Sequence, residues 1–455
     1  MFQSYQRPAP TFKPGLSFVL MCLMLATLWL VGGASRADTA GQTIVRGAAW
    51  LGLVILALAG KRPMWEQARL VAILLIAVIA LPLIQLIPLP LSLWNSLPGR
   101  GELVNTPLTG LTAPWRPISL VPAMTINALF SLIVPLAVFL FGASLNERER
   151  ACLPGLLLAL VVASMIVGLA QFSGISFDNP FINETVGRVN GTFANPNHFA
   201  LFLAIGCLLA PAWALEGKQR PEWRVAVALG LLPLFVLTIL ASGSRAGMLL
   251  GIIGTCLGLL LQQSAIRRMT RIYPRWVFPA LILAIVVMLV SFVFVSFAAD
   301  RAQSINRLLE IDNEHDMRAR GFPTVMIMIK EYFPIGTGLG TFDPIFRMNE
   351  PLGLLKSSYF NHVHNDFLEI ILDTGLAGGL LLLWGCGWWA GCSIRIWMVD
   401  NDTSARNLAR LGSAMLLLVI IASVVDYPAR TPLIMATVML AALFLSSPTR
   451  QPKPA

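Results

Sequence analysis

The segment Leu70–Ile87 reads LVAILLIAVIALPLIQLI and has no charged side chain over its eighteen residues. A helix rises about 1.5 Å per residue, so a run of this length nearly crosses the roughly 30 Å hydrocarbon core of a bilayer. Lipid offers no hydrogen-bond partners to the backbone, so a single apolar segment of this kind must satisfy its own backbone groups as a helix. The segment therefore predicts a membrane-spanning helix.

The whole chain has the same character. Its 455 residues are 56% hydrophobic and 12% charged, against about 45–50% apolar and about 25% charged residues in typical soluble proteins. This composition excludes a soluble enzyme and a disordered chain. We predict an all-α, polytopic membrane protein with about twelve transmembrane helices and one large, partly helical outer loop between spans nine and ten. The predicted spans are Leu16–Val31, Thr43–Gly60, Ala68–Ile87, Pro122–Leu145, Cys152–Phe172, Asn197–Leu215, Val225–Ala241, Ser244–Leu261, Trp276–Ala298, Phe367–Trp397, Leu408–Val425 and Pro432–Leu445.

The basic residues orient these spans. With the N-terminus in the cytoplasm, 19 of the 33 Lys and Arg residues and 7 of the 23 acids lie inside, which leaves +12 inside and −2 outside. Cytoplasmic loops of membrane proteins carry such an excess of Lys and Arg. The net charge of +10 therefore reflects topology and requires no nucleic-acid partner. The first span could instead be a cleaved signal peptide, because Ala34–Ala37 resembles a cleavage site, but a retained span is favoured.

The predicted organisation has four parts: residues 1–299 with spans one to nine and short loops, a large loop at 300–366, spans ten to twelve at 367–447, and a cytoplasmic tail at 448–455. The large loop has 16 charged residues among 67, and long structured loops are usually functional. All four histidines fall on the outer side. The six cysteines lie in or beside apolar runs, which favours a packing role over disulfides or metal binding.

The first candidate site is NHVHNDFLE, Asn361–Glu369, where the large loop meets span ten. Histidine is the usual general base near neutral pH. His362 and His364 are two residues apart, so they point in different directions and need not act together. The alternatives are a helix start capped by Asn365 or Asp366, and a metal site, for which no suitably spaced carboxylate motif is present.

Two carboxylates follow on the same predicted helix. Glu369 and Asp373 are four residues apart and so lie on one face. They could pair with arginines or orient a histidine. A solvated acidic helix end is the alternative.

Arginines supply a second set of candidates. Arg245, in SGSRAG, lies between spans seven and eight with almost no loop, so it sits at or inside the outer membrane boundary. A guanidinium there can grip phosphate or can reach out to the headgroups. Arg318 and Arg320 precede a predicted amphipathic helix that ends near Tyr332. The glycines of PIGTGLGTF after it predict a tight turn and not a nucleotide loop, because no GK[ST] follows.

A third set leads into span six. Arg188 begins the stretch RVNGTFANPNH, in which Asn195 and Asn197 could bind sugar hydroxyls or cap the helix after a proline turn.

Taken in order, these segments resemble the O-antigen ligase and O-antigen polymerase superfamily of bacterial glycan transferases. His364-Asn365, nine residues and Gly375-Leu-Ala-Gly378 fit the H-N-x9-G-x-x-G pattern of the family. SGSRAG resembles its Ser-Arg motif, PIGTGLGTF its P-x-G-x-G-x-G-x-F turn, and GTFANPNH its G-T-F-x-N-P-N element. The motifs cover about Arg188–Gly379.

The resemblance implies an inner-membrane enzyme whose active site faces the periplasm. Its donor would be a saccharide on undecaprenyl pyrophosphate, and its acceptor a hydroxyl of lipid A core, a polysaccharide or a protein. By resemblance His364 is the general base, and Arg245 and Arg318 hold the pyrophosphate. Arg320 is the alternative if the family's loop arginine does not align with Arg318. The family is considered metal-independent, so no metal and no cofactor is expected.

A transporter remains the rival hypothesis. Twelve spans with both termini inside also suit a flippase for lipid-linked oligosaccharides. Transporters usually show internal repeats and charges at mid-membrane. Here no repeat is visible and the charge concentrates in one outer loop, so transfer chemistry is favoured.

Overall fold

A computed structural model describes residues 13–101, 115–175, 179–182, 187–215, 222–270, 313–355, 360–399 and 403–446, together with residues 274, 276, 280 and 283. These residues are mostly helical, with almost no strand. In chain order the helices are α1 Leu16–Val31, α2 Ala40–Ala59, α3 Arg69–Gln85, α4 Leu91–Asn95, α5 Pro122–Ser131, α6 Ile133–Ala143, α7 Glu147–Phe172, α8 Pro196–Ala214, α9 Glu222–Ser242, α10 Arg245–Leu261, α11 Gln263–Thr270, α12 Asn313–Tyr332, α13 Phe342–Asn349, α14 Asp366–Trp397, α15 Ser404–Val425 and α16 Pro432–Leu445.

Short elements complete the described part of the chain. Strand β1, Pro88–Leu89, pairs antiparallel with β2, Arg116–Pro117, so that Pro88 faces Pro117. Single 3₁₀ turns occupy Trp65–Ala68, Leu352–Leu354 and Pro428–Arg430.

The helices confirm a polytopic all-α membrane protein. Within the described residues, eight helices are long and apolar enough to cross a membrane, and α1, α10 and α16 are shorter apolar helices. All eleven fall on predicted spans. The predicted span Trp276–Ala298 lies almost wholly outside the described residues, as do the tail at 448–455 and the start of the large loop. The count of twelve and the four-part boundaries therefore stay predictions.

Most span boundaries differ from the sequence prediction by a few residues, and two predicted spans differ for clear local reasons. The fourth predicted span is divided at Leu132 into α5 and α6, because Pro135 has no N–H to bond to the Ser131 carbonyl one turn earlier. The fifth begins at Glu147, ahead of the predicted Cys152. There Asn146 accepts from the Glu149 backbone N–H at 3.0 Å while the Glu149 carboxylate accepts from Asn146 N at 3.0 Å, a capping box.

Helix α8 forms the centre of the bundle. Its residues from His198 to Pro211 are all buried, as expected of a helix that is apolar on every side. Small residues allow its neighbours to approach: Gly254 and Gly258 of α10 lie against the α8 backbone, and Gly206 of α8 meets Phe235 of α9. Close backbone contact through small residues is the usual packing mode in membranes. The outer end of α8 is thereby fixed in place.

The described part of the outer loop has a small core of its own. Helices α12 and α13 contribute Val325, Met328, Tyr332, Phe342, Ile345 and Phe346, and this cluster also buries Leu354, Val363 and Leu372. Val363 lies between the two loop histidines, and Leu372 belongs to α14. The loop core therefore fixes the segment that leads into α14.

Candidate active site

His364 occupies an unusual backbone conformation at the start of α14. Its φ of +57° lies in the left-handed region, which residues with a side chain adopt only where their surroundings require it. The next residue, Asn365, caps the helix by accepting from Leu368 N at 3.0 Å and donates to the Val424 carbonyl at 2.9 Å. The predicted capping role of Asn365 is thus observed, and the cap holds His364 against the end of α15.

The imidazole of His364 pairs with a carboxylate at the end of α15. Its Nδ1 lies 3.2 Å from Oδ1 of Asp426, and the two side chains are 18% and 3% exposed. An ionised carboxylate can only accept a hydrogen bond, so this contact assigns the proton to Nδ1 and leaves the lone pair on Nε2. A histidine held in this way can accept a proton from a bound hydroxyl.

Asp426 joins the ends of several segments. It accepts hydrogen bonds from Asn197 Nδ2 at 2.6 Å, from Asn195 Nδ2 at 3.3 Å and from Tyr427 N at 2.9 Å. Asn195 also caps α8 by accepting from Asn197 N at 2.8 Å. The two asparagines therefore serve as helix start and as carboxylate partners at once, and sugar binding by them stays a prediction.

Three of the four histidines surround Tyr427. Ring centroids lie 4.2 Å away for His362, 4.9 Å for His364 and 5.0 Å for His198. His198 also pairs through Nδ1 with the Thr431 hydroxyl at 2.9 Å. The aromatic ring thus separates imidazoles that come from α8 and from the outer loop.

His362 belongs to a second network, as its different direction predicted. Its Nδ1 lies 2.8 Å from Oε1 of Glu369, whose other oxygen accepts from Val363 N at 2.9 Å. Arg430 lies between Glu369 and Asp373, with Nη2 at 3.2 Å and 3.4 Å from their oxygens. Glu369 and Asp373 are fully buried, so the alternative of a solvated acidic helix end is wrong.

Arg430 is the charge that makes this burial possible. Asp366 is the third carboxylate around it, with Oδ1 at 3.7 Å from Nε. Burial by itself disfavours the charged guanidinium, but the charges of Glu369, Asp373 and Asp366 outweigh burial and raise the pKa of Arg430 above its usual range. Arg430 therefore stays protonated and neutralises part of the acidic cluster.

The glycine-rich turn packs onto the same cluster. Gly340 N donates to Asp373 Oδ2 at 2.8 Å, and Gly338 N donates to the Asp373 carbonyl at 2.8 Å. Gly336, Gly338 and Gly340 all have positive φ, which supports the predicted tight turn. The turn therefore links the outer loop directly to the carboxylates of α14.

A cavity of about 100 Å³ opens beside this assembly. Its walls come from the segment after α1, the start of α8 and the histidine segment. The lining residues are Gly33, Ala34, Ser35, Arg36, Ala194, Asn195, His198, Asn361 and Tyr427. Amide, hydroxyl, imidazole and phenol groups in one small space suit a polar ligand.

Arg245, one of the arginines predicted to hold phosphate, lies at the start of α10. Arg245 is the exposed first residue of α10, whose cap Ser244 accepts from Gly247 N at 2.9 Å. Gly247 packs against Ala200 of α8, so Arg245 lies at the same outer end as the histidines.

The other three arginines belong to the outer segments. Arg320 is exposed and donates to the Gly353 carbonyl at 2.8 Å, a contact within the outer loop. Arg188 is half-buried in the segment before α8. Arg318 lies on α12, but its side chain is outside the described residues, so its role stays a prediction.

Sequence reasoning missed Asp426, Tyr427 and Arg430. They lie in the stretch DYPAR, residues 426–430, between two apolar spans. Two charges and a tyrosine in so short an outer connection were a detectable signal, because charged groups at a membrane boundary usually have a partner.

Part of the chain matches a known protein family. Residues 228–383 match the family model described as O-antigen ligase. The match confirms the resemblance to the O-antigen ligase and polymerase superfamily. No curated protein matches the chain.

The O-antigen ligase match runs from α9 into α14. It contains Arg245, Arg318, Arg320 and the segment from His362 to Glu369, and it stops before Asp426 and Arg430. The chain is therefore a multi-pass membrane protein, and residues 228–383 are similar to the O-antigen ligase family, a glycosyltransferase type in polysaccharide biosynthesis.

Proposed function

We propose that this protein transfers a saccharide from undecaprenyl pyrophosphate to a hydroxyl acceptor on the periplasmic side of the bacterial inner membrane. The observation that carries the proposal is the contact between His364 and the buried carboxylate of Asp426 at 3.2 Å. The family supplies the reaction class, and this pair supplies a base at the outer end of the bundle.

In the proposed reaction, Nε2 of His364 removes the proton of the acceptor hydroxyl as the oxygen attacks the anomeric carbon. The bond between that carbon and the pyrophosphate oxygen breaks, and the electron pair leaves with undecaprenyl pyrophosphate. Asp426 balances the positive charge that forms on the imidazole, as a carboxylate does behind a catalytic histidine. The proton then passes from His364 to solvent.

The leaving group needs positive charge nearby, because negative charge grows on its oxygen in the transition state. We assign this role to Arg245 and Arg318, whose guanidinium groups can each bind phosphate oxygens bidentately. Two such groups could act without a metal ion or cofactor. The acceptor class stays open between lipid A core, a polysaccharide and a protein, and membrane lipids surround the bundle.

The test uses purified full-length protein, a polyprenyl-pyrophosphate oligosaccharide and each acceptor class in turn. We expect His364→Ala to lower transfer on the order of 10²–10⁴-fold, with Arg245→Ala and Arg318→Ala also strongly reduced and protein levels unchanged. Arg347→Ala is the matched control, because Arg347 pairs with Asp343 on the exposed face of α13. The same assay with EDTA should show unchanged transfer.

Two outcomes would overturn the proposal. Wild-type transfer by His364→Ala would remove the base assignment. Reconstituted vesicles that move the lipid-linked donor across the bilayer but never transfer its saccharide would favour the flippase hypothesis.

A further inference from the structure

Arg46 lies within α2, six residues after the helix begins at Ala40. Its Nη1 donates to Asn127 Oδ1 and its Nη2 to Ser131 Oγ, both at 2.7 Å, and Nη2 also lies 3.4 Å from Gln42 Oε1. Asn127 and Ser131 belong to α5. Every one of these partners is a neutral oxygen.

The guanidinium of Arg46 lacks a counter-charge among the described residues. Its Nε is buried and has no hydrogen-bond partner, and within the described chain no carboxylate lies within 4.0 Å of it. An arginine remains charged in proteins, and a charge inside a membrane segment is costly unless it is paired. An anionic ligand at the guanidinium would supply the missing charge.

The space next to Arg46 lies on the exposed side of α2. Arg46 is half-buried at the border between the packed side of α2 and a side formed by Thr43, Gly47 and Trp50, which are all exposed. A side chain at Gly47 would meet nothing within 4 Å. The open space at Gly47, which we call the notch, is on the exposed side of a helix apolar enough to cross a membrane. A ligand at Arg46 would therefore arrive from the membrane.

We propose that Arg46 binds the phosphate group of a membrane lipid. A guanidinium binds phosphate oxygens through charge-assisted hydrogen bonds, and Asn127 and Ser131 would hold the guanidinium in position. The lipid could be a polyprenyl pyrophosphate or a phosphoglycerolipid. The site lies apart from His364, and the proposal does not depend on the transfer reaction.

Gln42 connects this site to the cavity. While its Oε1 faces Arg46, its Nε2 donates to the Ala34 carbonyl at 2.8 Å, and Ala34 lines the cavity beside Tyr427. A phosphate on Arg46 would therefore lie one side chain away from the cavity wall.

The experiment measures binding of three probes by isothermal titration in a phosphate-free maltoside detergent. All proteins are full-length and carry Arg245→Ala and Arg318→Ala, so that the proposed donor site does not bind the probes. The probes are farnesyl pyrophosphate, short-chain phosphatidic acid and the matching diacylglycerol. We expect the phosphorylated probes to bind and diacylglycerol not to bind. Arg46→Gln should weaken the affinity roughly tenfold, the loss of one charge-assisted hydrogen-bonding group. Loss confined to farnesyl pyrophosphate identifies a donor-type lipid, and loss with phosphatidic acid identifies a phosphoglycerolipid.

Gly47→Leu tests ligand binding without removing the contacts between Arg46 and α5. This variant fills the notch and leaves the Arg46 contacts to α5 intact, so we expect it also to weaken both phosphorylated probes. Arg347→Gln is the control and should bind them like the wild type. The proposal is overturned if both Arg46→Gln and Gly47→Leu bind like the wild type. It is also overturned if Arg46→Gln only unfolds while Gly47→Leu binds normally. This titration measures binding and not transfer, so it and the transfer assay can fail separately.

Discussion

At the scale of single residues, Asp426 has the contact that most affects the proposed reaction. Asp426→Asn keeps the size of the side chain and an acceptor for His364 Nδ1, but it removes the charge that would balance the imidazolium. We expect transfer to fall on the order of 10²–10⁴-fold, mainly in kcat, with donor KM little changed. The measurement is steady-state transfer with the lipid-linked donor.

Asp343→Asn is the control for that substitution, because Asp343 is a partly exposed carboxylate of the outer loop that pairs with Arg347. It should behave like the wild type. If Asp426→Asn transferred within about twofold of the wild-type rate, the carboxylate would have only a structural role.

We expect substitution of Arg430 to lower the stability of the protein more than it affects the transfer reaction. Arg430→Met keeps most of the side-chain length but leaves Asp366, Glu369 and Asp373 buried without their shared counter-charge. Removal of one partner from a buried ion network typically costs about 3–5 kcal/mol. We expect a clearly lowered Tm in detergent and a smaller loss for Arg430→Lys. A Tm equal to the wild type would mean that the carboxylates are already neutral.

At the scale of elements, α14 depends on its break at Gly375. This residue has φ +61° and ψ −143° inside the helix, a combination that essentially only glycine adopts. The break leaves the Leu372 and Asp373 carbonyls to accept from Thr337 N and Gly338 N, at 3.1 Å and 2.8 Å. The glycine-rich turn is thus a hydrogen-bond partner of the broken helix.

Gly375→Ala should therefore be strongly destabilising. The backbone conformation alone costs roughly 1–3 kcal/mol for a residue with a side chain, and the new Cβ would collide with the Pro334 carbonyl. Gly385→Ala on the same helix is the matched control, since its Cβ would meet nothing within 4 Å. We expect it to be neutral or slightly stabilising. Thermal unfolding of the two variants tests this, and equal Tm values would show that α14 can straighten.

The elements also show what the sequence could predict. Spans follow from apolar runs, so eleven predicted spans coincide with described helices. The partners of the loop residues could not be found in this way, because Asp426 is 62 residues from His364 and Arg430 is 57 residues from Asp373. Such pairs depend on how α14, α15 and α16 pack. The break at Gly375 needs the same knowledge, since the motif gives the glycine but not its backbone conformation.

At the scale of the whole molecule, the site residues share one end of the bundle. Helices α8 and α14 begin there, α15 ends there and α16 begins there. Gly41, at the start of α2, donates to the Phe181 carbonyl before α8 at 3.1 Å, so α2 also begins at this end. Lys61, just after α2, therefore lies at the opposite end. The site and Lys61 therefore lie at opposite ends of the bundle. The charge asymmetry of the sequence predicts that the site end faces the periplasm.

Cysteine labelling tests that orientation. In a background with the six native cysteines replaced by serine, Leu352→Cys places a thiol at a position that is 87% exposed in the outer loop, and Lys61→Cys places one at the opposite end. We expect a membrane-impermeant maleimide to modify Leu352→Cys in intact spheroplasts and Lys61→Cys only after permeabilisation. Met348→Cys, a second exposed loop position, should react like Leu352→Cys. The reverse pattern would place His364 in the cytoplasm, where no periplasmic acceptor could reach it, and would contradict the proposed function.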